Sequence, residues 1–158
     1  MELIEITKDG SPAGAINGLS EITTDVMKST AEMYKKTGYQ PPWVGYLAVD
    51  RTNCVGTCAF KTLPVKGRVE IAYFTFPGNE GRGVATSMAK KLIELAVLEC
   101  PTVRIFAQTL PEYNASTRVL ENLGFRQTVE IDHPEDGRVW EWELADETQK
   151  GASEDAPT

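Results

Sequence analysis

Of 158 residues only one is histidine, His133, so no multi-histidine metal site can be assembled from this chain. The three cysteines, Cys54, Cys58 and Cys100, have neither zinc-type spacing nor an even pairing. They read as buried thiols of a protein in a reducing, cytoplasmic setting. No apolar run approaches the roughly 20 residues that span a bilayer. The start, MELIEITKDG, lacks the basic residues and apolar stretch of a signal peptide, so neither a membrane partner nor export is expected. Basic residues are also scarce: 16 Lys and Arg against 23 Asp and Glu leave a formal charge of −7. Nucleic acid is held mainly by cations neutralising phosphates, so a nucleic-acid partner is not expected. A cationic ligand fits the charge better, although an acidic balance also serves solubility. Residues 145–158 carry −3 of that charge, which leaves −4 on the rest.

What is present, 41% hydrophobic and 25% charged residues, suits one globular domain. A short strand is expected over 1–6 and a helix over Ser20–Lys36, with Ile22, Val26, Met33 and Tyr34 as its inner stripe. Gly38, Pro41 and Pro42 end that helix. Three strand-like runs follow, Trp43–Asp50, Cys54–Thr62 and Arg68–Phe76, separated by turn residues as in an antiparallel meander. Val84, Ala85, Met88, Leu92, Ile93 and Ala96 then recur at helical spacing, predicting a long helix over Gly83–Leu98. Strand Thr102–Thr109, a short helix Asn114–Leu123 closed by Gly124, and strands Phe125–Ile131 and Arg138–Leu144 complete the order. Cys54 and Cys58 are expected on one strand face as small hydrophobes. The whole is a mixed α/β (α+β) domain over 1–144, a meander followed by a βαβ unit and a C-terminal strand pair. The composition of 145–158 predicts an acidic, disordered tail.

The most chemical stretch is VEIAYFTFPGNEGRGVATSMAKKL. A strand enters a turn containing Gly81 and Gly83, and the turn opens directly into a helix. Unpaired N–H groups and the positive dipole end of a helix start form an anion site suited to phosphate or pyrophosphate. Arg82 can add a charge-assisted contact. A P-loop would need Lys and Ser or Thr after the last glycine, where Val84 and Ala85 stand. The dinucleotide pattern fails at Thr86 and expects a preceding βαβ chain rather than a meander. Two glycines by themselves fit a plain strand-to-helix turn equally well.

Taken with the rest of the chain, this stretch resembles the GNAT superfamily of acetyl-CoA-dependent N-acetyltransferases. Glu70–Ala85 looks like that family's central strand and its (Gln/Arg)-x-x-Gly-x-(Gly/Ala) loop, with Gly83 and Ala85 in the small-residue places. Asn114-Ala115-Ser116 through Leu123-Gly124-Phe125 is similar to the downstream segment of the ribosomal-protein acetylating branch. The order of elements agrees over about residues 43–144. The resemblance implies that Gly81, Arg82, Gly83, Val84 and Ala85 hold the CoA pyrophosphate. It also implies that the pantetheine arm pairs with backbone of Phe74 and Phe76, and that Asn114, with Ser116 beside it, contacts CoA. Glu80 stands where relatives carry Gln or Arg. Leu120 stands where many carry a tyrosine acid, so no tyrosine is carried over as general acid.

A protonated amine must lose its proton before it can accept an acetyl group, and a lysine-like amine has a pKa of about 10.4. Glu70 is the candidate base: it lies on the central strand eleven residues before Gly81, where the resemblance implies that many members of the family carry their glutamate base. A salt-bridged structural glutamate is the equally weighted alternative. Asn114 is likewise a natural helix N-cap. Trp43, Tyr73, Tyr113, Trp140 and Trp142 read chiefly as packing residues, and His133 as a turn residue.

The expected activity is acetyl transfer from acetyl-CoA, without a metal, to a primary amine of a small molecule, peptide or protein. The rivals are a non-catalytic acyl-CoA-binding or sensory module on the same fold, and a nucleotide-phosphate binder. Residues 20–36, 37–43 and 131–139 are expected to choose the acceptor. The family often dimerises, which makes a homodimer one expectation of the resemblance.

Overall fold

The computed structural model describes residues 1–145. The expected acidic tail therefore lies, apart from Ala145, outside the described residues. Among the described residues there are seven strands and three helices, a mixed α/β composition. They are β1 (Glu2–Glu5), α1 (Glu21–Thr37), β2 (Gly45–Asp50), β3 (Asn53–Phe60), β4 (Arg68–Thr75), α2 (Val84–Glu99), β5 (Arg104–Thr109), α3 (Ala115–Asn122), β6 (Phe125–His133) and β7 (Gly137–Leu144). The chain forms two compact units, Met1–Val103 and a second that begins at Arg104.

In the first unit β1, β2, β3 and β4 pair antiparallel in sequence order, which is the expected meander with one strand added at its start. Helix α1 begins where Ser20 caps it, its Oγ accepting the N–H of Thr23 at 3.3 Å. The helix lies close to β2 because Gly45 has no side chain. A Cβ there would stand 2.8 Å from Thr30 Cγ2. The Tyr34 hydroxyl fixes the approach, donating to the Ile6 carbonyl at 2.8 Å and accepting the Gly45 N–H at 2.9 Å. Helix α2 packs on the opposite side of the sheet, where a Cβ on Gly56 would meet Met88 at 3.1 Å.

Strand register then assigns every side chain to one helix or the other, since successive residues alternate between faces. Thr57 pairs with Phe74 and Ala59 with Ala72, so these four, with Glu70 next along β4, belong to the α1 face. Cys58 and Phe60, paired with Tyr73 and Ile71, belong to the α2 face.

Two expectations are corrected here. The buried stripe of α1 is Thr23, Met27 and Tyr34, whereas Ile22, Val26 and Met33 are half-buried on the neighbouring row. The Tyr34 and Gly45 contacts rotate that second row off the sheet. Cys54 and Cys58 do not share a face. Ala48 pairs with Gly56 but Val49 with Cys54, so Val55 is one extra residue and reverses the alternation.

In the second unit β7 lies between β5 and β6, antiparallel to both, and β6 and β7 are the expected C-terminal strand pair. Helix α3 packs on β6, anchored by the fully buried Leu120. Trp142 is buried and donates its indole N–H to Thr109 Oγ1 at 2.9 Å. Trp140 stacks edge-on against Tyr113 with ring centres 4.9 Å apart.

Candidate active site

The turn between β4 and α2 is held by its own side chains. The Asn79 N–H donates to the Phe76 carbonyl at 3.0 Å, and Arg82 donates to Asn79 Oδ1 at 2.9 Å. Glu80 does not point a free carboxylate at the helix start: its Oε1 accepts the Gly78 N–H at 2.7 Å. Gly81 and Gly83 have φ of 77° and 76°, the left-handed region that glycine enters without strain. A Cβ at either would meet nothing within 4 Å, so backbone conformation, not crowding, demands glycine in this ligand-free structure. Gly83 caps α2 without any side-chain bond, and no acid occupies the first turn. Ser87 is the first residue whose N–H enters the helical ladder, to the Gly83 carbonyl at 3.0 Å. The N–H groups of Val84, Ala85 and Thr86 precede it. Val84 itself is buried and anchors the helix start. This is an accessible set of N–H donors at the positive end of a helix, beside the Arg82 guanidinium, and it fits a pyrophosphate.

Strand β4 carries Glu70 and Phe74 and leads through Phe76 into that turn. Glu70 is mostly buried, its side chain 17% exposed, and its Oε2 lies 3.5 Å from Lys61 Nζ. Phe74 on β4 is 51% exposed. It forms one wall of a cavity of about 340 Å³ between α1 and the sheet. The helix lines the cavity with Ile22, Asp25, Val26, Ser29, Thr30 and Met33. Thr57, Ala59, Ala72 and Phe74 line it from the α1 face of the sheet, together with Cys58 and Tyr73. Glu70 is the next residue of that face, two positions from Ala72. The row misread as core stripe is thus a cavity wall. Its sequence signal was the presence of two adjacent apolar rows on one helix, more than a single buried stripe requires.

The backbone of β4 departs from the expected pantetheine contacts. The Phe76 N–H already donates to the Val55 carbonyl at 2.9 Å, and the Glu70 carbonyl accepts the Lys61 N–H at 2.9 Å. In an antiparallel ladder alternate residues turn to the same neighbour. Phe74 therefore also turns its N–H and C=O toward β3. Tyr73 and Thr75 turn theirs the other way.

In the second unit Asn114 is the N-cap of α3. Its Oδ1 accepts the Thr117 N–H at 3.2 Å while Thr117 Oγ1 accepts the Asn114 N–H at 2.8 Å, a reciprocal capping box. Asn114 Nδ2 donates to Glu112 Oε1 at 3.3 Å. Ser116 is exposed in the first turn of the same helix.

Other titratable groups are structural. Burial pushes the Tyr34 hydroxyl up to about 12 and raises Tyr46 and Tyr73 further still. Burial also raises the Cys54 and Cys58 thiols, which disfavours their nucleophilic form. His133 Nδ1 accepts the N–H groups of Glu135 and Asp136 at 3.1 and 3.2 Å, holding the β6–β7 turn. Trp43 is buried edge-on against Phe60. A larger cavity, about 620 Å³, lies on the other flank of α1 against Lys8–Pro12, where Met27 and Tyr34 line it, but it contains neither Glu70 nor Phe74 nor any residue of the β4–α2 turn. Among the described residues no cluster of His, Cys, Asp and Glu could hold a metal, and no helix is long and apolar enough to cross a membrane.

Comparison with known proteins agrees with this layout. A curated relative, an uncharacterized N-acetyltransferase p20 of Bacillus licheniformis, is 32% identical over 74 residues. That match covers 46% of this chain and 42% of the relative, so less than half of its length. A ribosomal-protein alpha-N-acetyltransferase in complex with coenzyme A has a similar fold, with TM-score 0.63 and 16% identity over 80% of this chain and 73% of that one. A spermidine N-acetyltransferase chimera from Vibrio cholerae and hSSAT gives TM-score 0.62 and 13% identity, over 79% of this chain and 82% of that one. A family profile described as an acetyltransferase (GNAT) domain matches residues 14–126, which takes in the β4–α2 turn, the cavity and the capped helix α3. This chain belongs to the GNAT acetyltransferase family.

Proposed function

We propose that the protein is an acetyl-CoA-dependent N-acetyltransferase acting on a primary amine of a small molecule, peptide or protein. One observation carries the reading: Glu70 and Phe74 share the α1 face of β4 beside a cavity, on the strand that runs into the Gly81–Ala85 turn. The family match runs through both compact units, which supports residues 1–144 as one functional domain. The unpaired thiols of Cys54, Cys58 and Cys100 fit a cytoplasmic setting.

Acetyl-CoA, when bound, supplies the activated acetyl group and a thiol leaving group. The N–H groups of Gly81–Ala85 and the Arg82 guanidinium hold its pyrophosphate. Thr75, the last residue of β4, whose backbone groups turn away from β3, takes the role first assigned to Phe74 and Phe76 in binding the pantetheine arm and polarising the thioester carbonyl. Asn114 keeps its capping bonds through Oδ1, and its amide, with Ser116 beside it, is the CoA contact that the resemblance implies. Glu70 accepts the proton of the incoming ammonium, directly or through one water. A thiol with a pKa of about 8.5 can leave without a dedicated acid, which suits the buried Leu120 in the tyrosine place.

Titration calorimetry with acetyl-CoA tests the reading: saturable binding is expected, and no heat at millimolar ligand overturns it. Leu120 also favours one alternative, a non-catalytic CoA-binding module, which would bind acetyl-CoA without turning over any amine.

A further inference from the structure

We propose that the cavity under α1 selects an amine with one compact apolar body, aromatic or branched aliphatic, over polyamines and aminosugars. The inference rests on the acetyltransferase reading and specifies its acceptor. The walls are Ile22, Val26 and Met33 from the helix and Ala59, Ala72 and Phe74 from the sheet. A volume of about 340 Å³ is at the small end of ligand cavities, which run from roughly 300 to 1,000 Å³.

The polar groups in the lining are few, and two are already engaged. Thr30 Oγ1 donates to the Val26 carbonyl at 2.8 Å, and Thr57 Oγ1 donates to the Tyr46 carbonyl at 2.8 Å. A sugar would bury hydroxyls there with too few partners, at a cost in desolvation. Asp25 is the single charged residue of the lining. Beyond it the next carboxylate on the face is Glu70, and the Lys61 ammonium stands 3.5 Å from that. A polyamine would lay its chain along apolar wall, and its second cation would meet only Asp25, which is exposed and holds it weakly, or Lys61, where like charge repels it. A single ammonium leading toward Glu70, with its apolar body between Phe74 and the Ile22–Val26–Met33 row, leaves Asp25 to solvent and needs no second carboxylate.

The test is a panel of phenethylamine, leucinamide, spermidine and glucosamine with acetyl-CoA and the full chain. Apolar amines should exceed the other two in kcat/KM by at least about tenfold, because such pockets discriminate by roughly 10- to 200-fold per group. Val26→Asp should remove that advantage while leaving the acetyl-CoA Kd unchanged. Met33→Gln, which keeps the volume, should reduce it without the risk of misfolding. Spermidine or glucosamine as the better acceptor, or unchanged ratios in both variants, overturns the inference and leaves the acetyltransferase reading intact. Should the chain bind acetyl-CoA but turn over nothing, the acetyltransferase reading falls. Calorimetry with phenethylamine then still decides the cavity: binding lost in Val26→Asp supports the assignment, and no binding overturns it.

Discussion

The Lys61 ammonium stands 3.5 Å from Glu70 Oε2, and the register places both residues on the face that carries Ala72 and Phe74 into the cavity. A lysine there steadies the carboxylate. Glu70→Gln should reduce kcat by roughly 100- to 10,000-fold, the usual worth of a general base, with the acetyl-CoA Kd unchanged. Steady-state rates and calorimetry on the same preparation read both.

At the β4–α2 turn, Gly83→Ala forces a left-handed conformation with no compensating contact. The cost should be about 1–2 kcal/mol, seen as a lower Tm and weaker CoA binding. Glu80→Gln keeps an oxygen for the Gly78 N–H and removes a negative charge near the helix start. Charges there contribute about 0.3–1 kcal/mol, so CoA should bind about two- to fivefold more tightly, with the gain shrinking as salt is added.

The Tyr34 hydroxyl bridges the Ile6 carbonyl and the Gly45 N–H, and its folded pKa lies at about 12 against 10 for the free side chain. Because the folded value is raised, the stabilisation is complete below about pH 10 and is lost as pH rises toward 12. Tyr34→Phe leaves two buried backbone groups without that partner and should cost about 1–3 kcal/mol. Chemical denaturation between pH 8 and 12 should show the alkaline decline in the parent and a flatter one in the variant.

Asn114 separates capping from cofactor binding. Asn114→Ala removes the cap and should cost about 1 kcal/mol. Asn114→Ser retains a capping oxygen but lacks the amide donor. If the amide contacts CoA, the serine variant keeps its Tm and loses affinity; if Asn114 only caps, both properties survive.

Much of this was legible along the chain because it depends on neighbours in sequence. The meander, the long second helix, the glycine turn and the capped third helix each follow from periodicity, turn chemistry and cap residues within a dozen positions. The loop pattern of Gly83 and Ala85 and the Asn114 segment were enough to mark the family. Glu70 could be nominated as base because the resemblance fixes its place by its spacing from Gly81, a local quantity.

The errors share a different cause. Which apolar row of α1 faces the sheet depends on Gly45 and Tyr34, whose contact joins residues eleven apart in the chain. That contact turns Ile22, Val26 and Met33 from core stripe into cavity wall. The faces of Cys54 and Cys58 depend on one extra residue, Val55, in the pairing with β2. The backbone direction of Phe74 and Phe76 depends on which alternate set bonds to β3. Element order and motif could be read from the residues alone, since their causes are local. Face, register and the shape of the cavity under α1 arose only when distant segments packed, since a shift of one residue reverses a strand's side chains at almost no local cost.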